Sequence, residues 1–158
     1  MSCTIGSKPR TAGRRKPKLG ARKVTFLRAL LVLCASLVLA GTLYPFAIRP
    51  GAQLADIVPR LLASLDLPLR KTDAVLNIVL FVPLGGLAGR IMFRQAPPLL
   101  RWLGVVVSGL ALSAAIEVSQ TFIRGRIPSL FDVGFNTLGA AIGAAMVIWR
   151  AQGSARLP

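Results

Sequence analysis

Only five of the 158 residues are acidic, so their positions carry information. Asp73 is followed four residues later by Asn77, and Asp132 at the same spacing by Asn136. Residues four apart share one face of a helix, which makes each pair a carboxylate with an amide one turn beyond it. A further carboxylate, Glu117, is followed by Gln120, Arg124 and Arg126. Carboxylates, amides and guanidiniums gathered in one place can hold hydroxyl, phosphate or carboxylate groups through charge-assisted hydrogen bonds. A carboxylate kept away from bulk water can also serve as a general acid or base. Glu117 and Asp132 are therefore the candidate catalytic residues, and Asp73, Asn77, Gln120, Arg124, Arg126 and Asn136 the candidate ligand-binding residues. With no histidine and only two cysteines, Cys3 and Cys34, the usual ligands of zinc and other transition metals are missing. No metal or cofactor is expected, although carboxylates could hold Mg²⁺.

The elements that must position these residues follow from the apolar ones. Hydrophobic residues make up 54% of the chain and fall in long blocks, whereas a soluble core needs only amphipathic spacing. Four blocks approach the roughly 20 residues that a helix needs to cross a bilayer core of about 30 Å. They cover about residues 24–48, 74–93, 99–122 and 130–149. The expected fold is all-α, an integral membrane bundle of four transmembrane helices. Between the first two spans, Leu54, Ile57, Val58, Leu61, Leu62 and Leu65 recur at helical spacing, which predicts a short interfacial helix in the first outer loop. Pro59 belongs near its start, where a missing N–H is tolerated. Pro83 predicts a kink in the second span, and Gly139 with Gly143 predicts a close-packing face on the fourth.

Eight of the twenty Lys and Arg residues lie from Lys8 to Lys23, among prolines and glycines. That composition predicts a disordered basic tail over residues 1–23, a membrane domain over 24–150 and a short second tail over 151–158. The basic run lacks interleaved aromatics, so anionic headgroups are its expected partner and nucleic acid is not. The first span is too long for a signal-peptide core and is expected to be a retained anchor. An excess of cations on the side of the amino terminus places both termini in the cytoplasm.

In that arrangement the second and fourth spans run inward and the third runs outward. Asp73, Asn77, Asp132 and Asn136 then share a level near the outer surface, and Glu117, Gln120 and Arg124 arrive at it from the third span. Bland roles compete with this reading. An Asp in a first helical turn complements the helix dipole, and Asn can join helices by hydrogen bonds. Glu117 lies deeper in its span, where an unpaired carboxylate is strongly disfavoured. It is expected to pair with Arg124 or Arg126, to be held neutral, or to work in a site.

Three blocks carry a family resemblance: DAVLNIVLFVPLG in the second span, IEVSQTFIRGR closing the third, and SLFDVGFNTLGAAIG in the fourth. Together, over about residues 44–148, they resemble the VanZ-like family. By position the resemblance covers Asp73, Asn77, Phe81, Pro83, Gly85, Glu117, Gln120, Arg124, Asp132, Asn136, Thr137 and Gly139. It implies a multi-pass protein of the bacterial plasma membrane. The family is named for a protein that raises resistance to the glycopeptide teicoplanin.

The leading functional expectation is an envelope protein whose outward-facing polar pocket binds a lipid headgroup or a glycan-linked lipid such as a peptidoglycan precursor. Arg124 and Arg126 would grip its anionic groups. An enzymatic version would be a hydrolase or transferase on a lipid-linked substrate. The alternatives are a small proton-coupled carrier, formed by a homo-oligomer, and a non-catalytic envelope scaffold. The carrier needs its polar groups at the midplane, whereas the spacing places them near one surface.

Overall fold

The computed structural model describes residues 20–153. Most of the expected basic tail lies outside the described residues. Five α-helices follow in order: α1 (Ala21–Leu43), α2 (Ile57–Ala63), α3 (Lys71–Ile91), α4 (Pro98–Thr121) and α5 (Leu130–Gly153). Four of them are long and apolar enough to cross a membrane, and α2 is the short helix between the first two. At about 1.5 Å per residue, a 24-residue helix such as α4 reaches about 36 Å, more than the bilayer core requires.

Local signals set the ends of these helices. Asp73 and Asp132 stand in the first turns of α3 and α5, and Arg90 and Arg150 in the last, each favourable to the helix dipole. Pro98 opens α4, where its missing N–H costs nothing. Helix α1 begins at Ala21 and so takes in Arg22 and Lys23, and it ends at Leu43, five residues short of the expected limit. Pro45 explains the early stop: it has no N–H to continue the ladder and disfavours helix at Tyr44. Beyond it, Ile48 forms an isolated antiparallel bridge with Ile123 in the loop between α4 and α5.

The tightest interface lies between α3 and α5, and glycine makes it possible. A Cβ at Gly85 would meet the Ala140 Cα at 2.6 Å, and one at Gly143 would meet the Gly86 nitrogen at 2.8 Å. Backbones this close bring many atoms into van der Waals contact where no hydrophobic effect separates helix from lipid. Phe81, Leu84, Ile116 and Ala140 form the core above this seam, and Val38 is the one residue of α1 buried in it. Helix α3 continues through Pro83, which lies on its exposed side.

Near the start of α5 the connection 54–66 folds as two 3₁₀ turns flanking α2, with Pro59 in the first turn of α2 as expected. Leu54, Val58, Leu62 and Leu65 are all exposed along it. Ser64 is the exception, buried against the rest of the bundle.

Candidate functional site

The amino terminus of α5 organises the site. A helix begins with amide N–H groups that have no partner of their own, and here three elements supply acceptors. Glu117 Oε2, on α4, accepts from the Ser129 N–H at 2.7 Å. Ser64 Oγ, beyond α2, accepts from the Leu130 N–H at 3.1 Å, and Ser129 Oγ accepts from the Asp132 N–H at 3.4 Å. Glu117 is 2% exposed, so its carboxylate meets the positive end of the α5 dipole away from solvent.

Next to this cap, the two carboxylate-amide pairs meet across the α3–α5 seam. The Asn77 amide lies beside the Asp132 carboxylate, and Asp73 is close enough for the two carboxylates to repel. Asp73 is exposed, while Asn77 and Asp132 are half-buried. One turn further along α5, Asn136 is buried and donates from Nδ2 to Ser113 Oγ on α4 at 2.9 Å. Its Oδ1 is buried without a partner among the described residues. A shelf of acceptors results: Asp73 at the rim, Asp132 within, and the Asn136 amide and Glu117 beneath.

The remaining predicted residues bind backbone. Gln120 is buried and donates from Nε2 to the Thr42 carbonyl at 3.0 Å. Arg126 donates from Nε to the Tyr44 carbonyl and from Nη2 to the Gly41 carbonyl, each at 2.7 Å. Both therefore satisfy the carbonyls that α1 leaves free where it ends. Among the described residues neither Arg124 nor Arg126 closes an ion pair with Glu117, whose partner is the Ser129 amide instead. The Arg124 side chain is exposed, and its backbone N–H donates to the Ala47 carbonyl at 2.7 Å.

The profile of one protein family, VanZ/LLP1, matches residues 22–151. The chain belongs to the VanZ/LLP1 family. The match extends the sequence resemblance, which covered about residues 44–148, to include α1. No curated protein and no solved structure matches the chain. With its four spanning helices, this VanZ/LLP1 protein is a multi-pass membrane protein.

Three serines of the site escape a reading of the VanZ/LLP1 motifs. Ser129 had a signal, because Ser-x-x-Asp before an apolar run marks a helix start. Ser64 and Ser113 had none: each acts through a residue far away in sequence, Leu130 and Asn136.

Proposed function

We propose that this VanZ/LLP1 protein binds the polar head of a lipid or glycan-linked lipid at the shelf formed by Asp73, Asn77, Glu117, Asp132 and Asn136. The observation that carries this reading is the juxtaposition of Asn77 and Asp132 beside an exposed Asp73. Carboxylates left within reach of water at the mouth of a membrane bundle suit a ligand rich in hydroxyl or ammonium donors. Arg124 is the exposed guanidinium available for a phosphate or carboxylate of that ligand, while Arg126 holds α1 in place. If bonds in the ligand are hydrolysed or transferred, Glu117 is the acid or base and Asp132 the second carboxylate. In this reading the shelf faces outward from a bacterial plasma membrane, both termini are cytoplasmic, and a bound peptidoglycan precursor would link the protein to glycopeptide resistance.

A second reading has an observation of its own. Glu117, Gln120, Arg126 and Ser64 all engage backbone at helix ends, as the polar groups of a non-catalytic envelope scaffold would. Asp132→Asn, Glu117→Gln and Arg124→Ala variants separate the two when teicoplanin and detergent sensitivity are measured alongside membrane abundance. The binding reading expects altered sensitivity at normal abundance. Sensitivity that changes only in step with abundance supports the scaffold.

A further inference from the structure

Charge is divided between the two ends of the bundle. All five Asp and Glu residues sit at or beyond the end where α3 and α5 begin. The opposite end carries Arg22, Lys23, Arg90, Arg94 and Arg101, with no acidic side chain near enough to neutralise them. Arg101 reaches the Gly89 carbonyl, yet its buried Nε has no partner among the described residues. Among the described residues no side chain supplies the counter-charge for Arg22, Lys23 and Arg90 at this end.

Two cavities open there, on either side of α3. The one between α1 and α3, of about 350 Å³, is lined by Arg22, Lys23, Phe26, Leu27 and Arg90. The other, of about 390 Å³, lies between α3 and α5, with Val82, Met146 and Val147 on its walls. Arg90 lines both. The α1–α3 cavity thus joins three cations to an apolar wall, Phe26 and Leu27, within a segment that faces acyl chains. Long basic side chains at such a level extend towards the headgroups while their stems stay against lipid.

We infer that the α1–α3 cavity seats an anionic phospholipid, with Arg22, Lys23 and Arg90 around its phosphate and Phe26 and Leu27 against its chains. A zwitterionic lipid presents the same chains but carries an ammonium that these cations repel. Free phosphate satisfies the cations but leaves the apolar wall uncovered. The seat is independent of the polar shelf at the other end and makes no assumption about which leaflet it meets.

The test uses the purified full chain in detergent, with lipid retention read by native mass spectrometry and thermal melting followed in parallel. Phosphatidylglycerol, phosphatidylcholine and inorganic phosphate are the three additions. Phosphatidylglycerol should be retained in preference to phosphatidylcholine and should raise the melting temperature, and inorganic phosphate should not reproduce the effect. At about 1 kcal/mol per cation near a membrane surface, Arg90→Gln should lower that preference about fivefold. Arg60→Gln, in α2 at the other end, should leave it unchanged. Should Arg90→Gln fail to fold, the Arg22→Gln/Lys23→Gln pair carries the same test. Equal retention of both lipids, an equal effect of inorganic phosphate, or variants that keep the wild-type preference would each overturn the proposal.

Discussion

Helices α3 and α5 meet backbone to backbone, whereas α1 leans on the bundle through side chains and is tied by hydrogen bonds where it ends. On the first pair an added Cβ has nowhere to go at Gly85 or Gly143. Along α1 only Val38 is buried, with Leu31, Cys34, Ala35 and Leu43 half-buried against the core, and Gln120 and Arg126 donate to the carbonyls at its end. The comparison shows two ways to fix a helix where lipid is as apolar as protein. One removes side chains so that packing is continuous, and the other satisfies the helix terminus from a neighbour. The polar shelf stands on the first kind, and the end of α1 with the loop behind it is fixed by the second.

Breaking the tight pair should have the largest effect. Gly143→Leu pushes a branched side chain into the Val82 carbonyl and the Gly86 nitrogen, neither of which can swing aside. A cost of about 3 kcal/mol or more is expected, seen as loss of the protein from the membrane fraction and a lower melting temperature in detergent. A smaller loss belongs to the α5 cap. Glu117→Ala leaves the Ser129 amide without an acceptor and should cost about 1–3 kcal/mol. Glu117→Gln retains an oxygen for that amide and should melt within about 1 kcal/mol of wild type, so a difference between the two variants measures the cap itself.

Releasing α1 should be milder. Arg126→Ala removes donors to two carbonyls that can turn towards water, for about 1 kcal/mol. Its sharper readout is faster proteolysis within residues 44–53, with α3 to α5 left folded. Least of all, Val32→Ala on the outward side of α1, where the residue is 65% exposed, should change stability by less than about 0.5 kcal/mol. A large effect there would mean that a second copy or another protein covers α1.

Much of this was legible in the sequence because the controlling spacings are short. Asp-x-x-x-Asn, given twice, fixes a helix face wherever the helices end up, and parallel directions for α3 and α5 then bring the two faces to one level. Apolar block length gave four spans, and the interfacial leucines gave α2. Hydrophobicity continues through Phe46 and Ile48 and so overruns the end of α1 at Leu43, which the backbone chemistry of Pro45 decides. The role of Arg126 is not legible for the same reason, since a guanidinium's partner depends on where the neighbouring helix stops. Ser64 and Ser113 were beyond reach, because a lone serine has no spacing to read.

The most direct test of the shelf is capture of what it holds in living cells. A photoreactive amino acid in place of Thr72, exposed beside Asp73, should cross-link a lipid bearing a hydroxyl- or amine-rich head. Combining it with Asp132→Asn, at equal membrane abundance, should abolish that adduct. An adduct of bulk phospholipid alone, unchanged by Asp132→Asn, would contradict the account.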